Sequence, residues 1–298
     1  MKLDIDDYRV KPGRRLRLDR HDAGDTGRFR SSEDAEGKLE KGVRKLADLQ
    51  ERLYAQDRWS VLLILQAMDA AGKDSTIKHV MRGLNPMGTH VVSFKVPSAE
   101  ELDHDYMWRS LKALPERGRI GVFNRSHYEE VLVVRVHEEL LARQHLPARL
   151  VTKRIWKERF EDIVAIEKYL ARNGTLIRKC FLHVSKKEQR QRFLERLDNP
   201  AKNWKFSEAD LDERDLWPDY MHAYEETLSA TSTAEAPWFV VPADNKWFTH
   251  LLVAEILIDA LEGLDLEFPT LTTTEQRALG RARTRLTRGV SRGRGRQR

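Results

Sequence analysis

The chain has 298 residues, 34% of them charged, and a formal net charge of +6. Without the eight arginines of residues 281–298, the rest carries about −2 by the same count, so any polyanion site in the body must be local. No apolar run reaches the roughly 18–20 residues that span a bilayer, and no apolar signal core follows the charged start. We therefore expect a cytoplasmic protein without a membrane contact. The single cysteine, Cys180, lies in an apolar run, and we give it no catalytic role.

The order of hydrophobic patterns predicts an α/β fold. Residues 1–33 show no sustained period and predict an extended arm, which a helix follows at about 34–56. Short apolar runs then predict strands at 59–66, 90–96, 118–124, 176–184 and 238–243. Between and after them, predicted helices fall near 73–84, 99–114, 148–171, 186–197, 212–231 and 245–262. This alternation predicts one doubly wound domain with a five-stranded parallel sheet, whose ligands bind beyond the carboxyl ends of the strands.

The C-terminal segment has a different composition from the body. Residues 271–298 are rich in glycine and arginine and almost without aromatic residues. Such a composition buries too little apolar surface to fold alone. We therefore predict a basic, disordered tail after a domain that spans residues 34–270.

The stretch LLILQAMDAAGKDSTIKHV, residues 62–80, has the pattern of a strand, a phosphate loop and a helix. Lys73 can reach forward to bound phosphates, whereas Asp69 would repel them unless it held a bridging magnesium ion. The usual pattern, GxxxxGK followed by Ser or Thr, has glycine at the position of Ala67 and a hydroxyl at that of Asp74. On this motif alone, an ordinary loop with a surface lysine is an equally good interpretation.

A second polar cluster follows the predicted strand at 118–124. Asn124 stands where a Walker B acid would lie, Arg125 could clamp phosphate oxygens, and Glu129 could supply the metal charge that Asn124 lacks. Taken alone, this cluster is better explained as a turn residue and a solvated charge.

Two further stretches are basic. Residues 183–211 combine an arginine-bearing helix with a basic-aromatic segment and favour a lid at about 185–215, although Glu188 and Glu195 could pair with the arginines on a solvated face. The candidate cations of this stretch are Arg190, Arg192, Arg196, Lys202 and Lys205. Lys153, Arg154 and Lys157 could line a groove, although such a run is more often a solvated helix surface.

Together and in this order, these stretches resemble the polyphosphate kinase 2 family. The matching segments are MDAAGKDSTIKHVM, FNRSHYEEVLVVRVH, IWKERFEDI and FLHVSKKEQRQRFLERLDNPAKNWKFS. The resemblance covers about residues 8–265, and the tail from about 275 lies outside it. It implies a thymidylate-kinase-like P-loop fold of three α/β/α layers with a helical lid. It also implies reversible phosphoryl transfer between inorganic polyphosphate and a purine nucleotide, with Mg²⁺, or alternatively Mn²⁺, as the cofactor.

The resemblance also implies roles for individual residues. The implied catalytic residues are Asp69, Lys73, Arg125 and Arg192, with Arg190 and Arg196 as alternatives for the lid arginine, and the implied metal ligands are Asp69 and Glu129. The phosphate- and substrate-binding candidates are Ala70, Ala71, Gly72, Asp74, Ser75, Lys78, Asn124, Glu129, Arg135, Lys153, Arg154, Lys157, Arg190, Arg196, Lys202 and Lys205.

Two departures from the family pattern matter. Asn124, where many members have Asp, together with Glu129 resembles the subgroup that phosphorylates both nucleoside monophosphates and diphosphates. We therefore expect AMP and ADP as acceptors. Ala67 replaces a glycine common in the family, and we expect its methyl group to be tolerated through a negative φ at that position.

Two other functions are compatible with parts of the sequence. An ATP-dependent small-molecule or nucleotide kinase of similar fold would use ATP and not long-chain polyphosphate. A non-enzymatic nucleic-acid-binding protein would act through the arginine-rich tail. Our main prediction requires no nucleic acid. We also expect a homo-oligomer, a dimer or a tetramer, although the sequence itself does not give the oligomeric state.

Overall fold

The computed structural model describes residues 3–293, with side chains up to residue 287. The chain divides into two compact units, Met1–Leu266 and Glu267–Arg298. No helix among the described residues is long and apolar enough to cross a membrane.

The first unit is built on a parallel sheet, as predicted. Its five strands lie in the order β2-β3-β1-β4-β5, and all pairs are parallel. The strands are β1 (Ser60–Gln66), β2 (Thr89–Ser93), β3 (Ile120–Asn124), β4 (Thr175–His183) and β5 (Trp238–Pro242). Every residue of the central strand β1 is buried, because helices cover both faces of a parallel sheet. The carboxyl ends of β1 and β3 lie side by side, with Leu65 opposite Asn124.

Each of the six long predicted helical regions contains a helix, but four of the six are shorter or divided, and the one predicted at 73–84 ends at Val80. The helices are α1 (Ser32–Gln56), α2 (Lys73–Val80), α3 (Ala99–Leu102), α4 (Trp108–Lys112), α5 (Val133–Val136), α6 (Ile155–Arg172), α7 (Lys186–Asp198), α8 (Ala209–Asp215), α9 (Trp217–Thr231), α10 (Lys246–Glu262) and α11 (Thr273–Gly293). The helix predicted at 99–114 is two short helices, and that at 148–171 begins only at Ile155. The one at 212–231 divides before α9, whose first turn contains Pro218, a residue that cannot donate a backbone hydrogen bond.

The N-terminal arm packs on the sheet. Tyr8 and Val10 are buried in the main core, and the backbone N–H of Val10 donates to the carbonyl of Trp238 at 2.9 Å. Arg9 also forms an antiparallel bridge with Phe239. The arm therefore shields the exposed edge of β5, which would otherwise present unpaired backbone groups.

Lys179 of β4 and Glu167 of α6 form a buried ion pair between the sheet and this helix. The ammonium of Lys179 donates to Glu167 at 2.5 Å, to the hydroxyl of Tyr128 at 2.8 Å and to the carbonyl of Thr231 at 2.8 Å. All three of its N–H donors are thus satisfied. Burial lowers the pKa of Lys179 and raises that of Glu167, which shows the cost of removing both charges from water.

The second unit contains α11, where we had predicted disorder. Thr272 and Glu275 form reciprocal bonds at its start: the Thr272 N–H donates to the carboxylate, and the Glu275 N–H donates to the Thr272 hydroxyl. Ala, Leu, Arg and Gln are also good helix formers. A composition that cannot build a buried core therefore does not exclude a helix, because this local preference acts without one. Residues 294–298 of the predicted tail lie outside the described residues.

The buried ion pair of Lys179 and Glu167 gives a stability prediction. Replacing Glu167 with Ala should lower the free energy of unfolding by about 3–5 kcal/mol, because it leaves the Lys179 ammonium buried without its counter-charge. Urea unfolding measures this change. Glu161→Ala, which removes an exposed partner of Lys157, should change it by less than about 0.5 kcal/mol. A loss below about 1 kcal/mol in Glu167→Ala would contradict the argument.

Candidate functional site

The residues that follow β1 and β3 line a cavity of about 340 Å³ at the carboxyl edge of the sheet. The lid region contributes a second wall through Arg192, Arg196, Lys202 and Lys205. A larger cavity of about 1050 Å³ lies between the arm, α1 and α10. Lysines and acids form ion pairs across that larger cavity, so it has no excess of free positive charge for an anion. The smaller cavity is the one at the position where parallel α/β sheets bind ligands.

The loop between β1 and α2 has the backbone conformation of an anion site. Gly72, at the N-cap of α2, has φ +108°, and Ala70 has φ +59°. Ala67 is not among the non-glycine residues with a positive φ, so its backbone accommodates a methyl group in place of a glycine. The first N–H groups of α2 have no acceptor within their own helix, and together with the helix dipole they favour a phosphate.

All six carbonyl oxygens of residues 67–72 have a donor in the protein. The ammonium of Lys73 turns back to the carbonyls of Ala67 and Met68, at 2.8 and 3.4 Å. Gln189 donates to the carbonyl of Asp69 at 2.9 Å. Arg192 donates to those of Ala70 and Ala71, at 3.0 and 2.8 Å, and Thr76 donates to that of Gly72. These bonds fix the loop with its carbonyls turned toward the protein.

Arg192 is placed differently from its predicted role. Besides the loop carbonyls, its guanidinium donates to the carbonyls of Ala243 and Asp244, at 2.6 and 2.9 Å, and to Glu188 at 2.8 Å. The side chain is buried, and the five N–H donors of its guanidinium are all engaged. This geometry ties α7 and the end of β5 to the phosphate loop and leaves no donor for a substrate oxygen.

Lys73 lies among charged groups at the start of α2. Burial and, to a smaller extent, the neighbouring Arg125 lower its pKa to about 8, although Asp69, Glu129 and Asp74 oppose the shift. Loop carbonyls hold the ammonium of Lys73, and the residue lines the same cavity. Among the described residues, Lys73 forms no salt bridge.

Arg125 connects the two loops. Its guanidinium donates to Asp69 at 2.8 Å and to Glu129 at 3.2 Å, and the pKa of Arg125 is raised mainly by Glu129. Its φ of +63° is in the left-handed region, and its N–H donates to the carbonyl of Leu65. The strained backbone directs the side chain across the ends of β1 and β3, toward the phosphate loop.

Asn124 serves as a donor. Its amide donates to Asp74 at 2.8 Å and to the hydroxyl of Ser93 at 3.3 Å. An aspartate at this position would place a second carboxylate beside Asp74. The amide therefore removes one negative charge and one repulsion from the site.

The basic wall includes one residue that the sequence analysis missed. Lys246, the first residue of α10, lines the cavity with Arg196, Lys202 and Lys205. Its position after β5 repeats that of Lys73, which is the first residue of the helix after β1. A lysine at the first position of the helix after a strand can be recognised in the sequence, and this pattern could have identified Lys246. Arg196 itself donates to Asp210 at 3.3 Å and is only partly buried.

The other predicted residues, except Ser75, lie apart from the cavity. Arg135 pairs with Glu226 of α9. Ser75 lines the cavity, and its hydroxyl bonds to His250 at 3.1 Å. Five of the predicted cations are exposed and lie outside the cavity lining: Lys78, Lys153, Arg154, Lys157 and Arg190. Two of them form surface pairs within α6 or at its start, Arg154 with Glu158 and Lys157 with Glu161.

The donor set suits a hard divalent ion that also binds substrate phosphates. Among the described side chains, no group of three or more His, Cys, Asp or Glu could hold a metal by itself. The two predicted ligands, Asp69 and Glu129, each use one oxygen for Arg125 and keep a second. Magnesium sites of this type use one or two carboxylates and complete the shell with phosphate oxygens and water. The residues therefore fit such an ion when substrate is present.

Comparisons with known proteins agree with this geometry. The model of the family described as Polyphosphate kinase 2 (PPK2) matches residues 30–269. An ADP-polyphosphate phosphotransferase of Rhodopseudomonas palustris is 48% identical over 96% of this chain and 99% of its own. An AMP/ADP-polyphosphate phosphotransferase of Meiothermus ruber is 46% identical over 91% of this chain and 97% of its own. The crystal structure of Polyphosphate Kinase 2 from Arthrobacter aurescens TC1 superposes with a TM-score of 0.83 at 40% identity, covering 91% of this chain and 94% of that one.

The bonds of Arg192 predict a structural effect of its removal. Arg192→Ala should lower the free energy of unfolding by about 3 kcal/mol, because it leaves buried carbonyls without donors. Amide hydrogen exchange of residues 69–73 should also become faster. Lys187→Ala, an exposed change on the same helix, should alter neither quantity. If Arg192→Ala leaves stability and exchange at wild-type values, the arginine does not hold the loop.

Proposed function

Because the chain belongs to the polyphosphate kinase 2 family, we propose that it transfers the terminal phosphoryl group of inorganic polyphosphate to AMP and ADP. The observation that carries this proposal is the phosphate loop, whose carbonyls are all bonded inside the protein while its helix start faces a cavity with an arginine and lysine wall. Such a cavity suits a chain of phosphates, which carries a negative charge on every unit. The transfer is reversible, since one phosphoanhydride is exchanged for another.

In the proposed reaction, a terminal phosphate oxygen of the nucleotide attacks the last phosphorus of polyphosphate. A new P–O bond forms, the P–O bond to the next phosphate breaks, and the shortened polyphosphate keeps the electron pair. Lys73 and Arg125 contribute fixed positive charge where negative charge accumulates. The helix start of α2 holds the phosphoryl oxygens, while Arg196, Lys202, Lys205 and Lys246 contact the remaining donor chain. We assign Arg192 to positioning the loop.

We propose Mg²⁺ as the cofactor, held through Asp69 and Glu129 together with substrate phosphates. Bound there, it neutralises phosphate charge. The two carboxylates also orient Arg125, so they would act on both the ion and the guanidinium. The assembly of the chain into a dimer or tetramer stays a prediction.

The direct test is incubation of the purified chain with polyphosphate, Mg²⁺ and either AMP or ADP, followed by separation of the nucleotides. We expect ADP and ATP from AMP, and ATP from ADP. ATP as the donor, with AMP, is the parallel assay for the alternative of an ATP-dependent kinase. Asp69→Asn should be slower by about a hundredfold or more, which excludes a contaminating kinase. Transfer from ATP but from no polyphosphate would overturn the proposal.

The lowered pKa of Lys73 predicts a pH dependence. Below about pH 8 the free enzyme has a charged Lys73, and above it the charge is lost, so kcat/KM should decline through that pH. In the complex, bound phosphate favours the charged form, and the decline in kcat should lie at higher pH.

Lys73→Arg provides the control for this profile, because arginine stays charged over the whole range. Whatever its residual rate, kcat/KM of this variant should lose the decline near pH 8. The same decline in both proteins would assign it to another group.

The acceptor range predicts an unequal effect at Glu129. An AMP acceptor has fewer phosphate oxygens of its own to bind the metal, so the loss of a carboxylate should impair AMP use more than ADP use. Glu129→Gln is the sharper variant, since its amide oxygen can still accept from Arg125 while the negative charge is lost. Both acceptors are compared through kcat/KM. Equal losses for AMP and ADP would show that Glu129 does not set the acceptor range.

A further inference from the structure

The second unit presents a row of arginines on one side of α11. Arg277, Arg281 and Arg285 are four residues apart and exposed, and with Gly280 and Thr284 they line one shallow depression. At 3.6 residues per turn, side chains at this spacing lie above one another on the same face. We call these three residues the arginine row. In the sequence, Arg288 and Arg292 follow at intervals of three and four residues.

The arginine row lacks compensating acids in its own unit. The described acids of that unit are Glu267 and Glu275, and neither forms a salt bridge with the row. Glu275 instead bonds to Thr272 at the helix start. Like charges four residues apart destabilise a helix, so a bound anion would relieve this repulsion.

The rest of the helix restricts the kind of anion. Its two described bulky apolar residues, Leu279 and Leu286, are 57% and 74% exposed. Two leucines offer little area for insertion into a membrane surface. The sequence 273–298 contains no Phe, Tyr or Trp on which nucleic acid bases could stack. The row therefore suits a linear anion that is recognised by charge alone.

We propose that α11 binds inorganic polyphosphate as an accessory site, distinct from the cavity at the carboxyl edge of the sheet. This inference rests on the proposed function, which makes polyphosphate the donor. The family model ends at residue 269, before α11 begins, so the helix lies outside the residues that the family model matches. Because both sites belong to one chain, a donor held by the arginine row is present at a high effective concentration for the cavity.

The consequence is a dependence on donor length. A long polyphosphate has enough phosphates for one part of the chain to be held by the arginine row while its end reacts, whereas tripolyphosphate has only three phosphates to offer. The accessory site should therefore lower KM for long donors, leave KM for tripolyphosphate unchanged and leave kcat unchanged. A structural defect would instead affect both donors alike.

The test uses the full chain with the triple substitution R277Q/R281Q/R285Q. KM for polyphosphate of roughly 100 units should rise about tenfold at low salt, while KM for tripolyphosphate and kcat stay within about twofold of wild type. The matched control R14Q/R44Q/R52Q removes three exposed positive charges from the first unit and should behave as wild type. Equal KM values for the long donor in the two triple variants would overturn the inference.

A binding measurement separates this inference from the proposed function. Labelled long-chain polyphosphate should bind wild type more tightly than R277Q/R281Q/R285Q, with a shallower salt dependence in the variant. If wild type transfers no phosphoryl group, the proposed function fails, and this comparison still decides the accessory site. Single-stranded RNA and phosphatidylserine vesicles serve as competing ligands. Loss of RNA or vesicle binding in the variant, with polyphosphate binding unchanged, would overturn the inference.

Discussion

A loop that turns its N–H groups toward an anion must turn carbonyl oxygens away from it, and those oxygens then need donors inside the protein. In this chain, every carbonyl of residues 67–72 has such a donor. The donors are four side chains outside the segment, those of Lys73, Thr76, Gln189 and Arg192. The phosphate site is thus preorganised by the side chains that donate to the loop carbonyls. The loop sequence alone, with Ala67 in place of a glycine, does not explain it.

This constraint links the lid to the loop. The first half of α7 carries Gln189 and Arg192, both bonded to loop carbonyls, and the N–H of Ser185 donates to Asp244 at 2.7 Å. A rigid movement of the whole helix would break these bonds. The segment beyond Asp198 is different, because residues 199–205 are exposed and contain the short turn Asn203–Lys205. The anchored half can therefore keep the loop fixed while the exposed part contacts a substrate.

Sequence patterns predicted the sheet and the phosphate loop because strands buried on both faces leave continuous apolar runs, and helix starts leave a Gly-Lys pair. They were less informative about individual arginines. Arg190, Arg192 and Arg196 lie on the same helix and carry the same charge. Only tertiary contacts show that Arg190 is exposed, that Arg192 is fully hydrogen-bonded and that Arg196 lines the cavity. The same limit applies to Lys153, Arg154 and Lys157, since spacing alone does not place a helix relative to a cavity.

Charge in the site is arranged as an alternation. Arg125 lies between Asp69 and Glu129, and Asp74 lies beside the neutral amide of Asn124. Without substrate, each of the three carboxylates thus has a donor, and the guanidinium is already held in place by two of them. Incoming phosphates add negative charge, which the carboxylates oppose unless a divalent ion enters with them. The pKa of Lys73 is lowered because its ammonium is desolvated without a close counter-ion among the described residues, and an arriving anion stabilises the charged form. The proposed metal ion would therefore offset the same acids that position the arginine, and it would enter the site together with the phosphate chain.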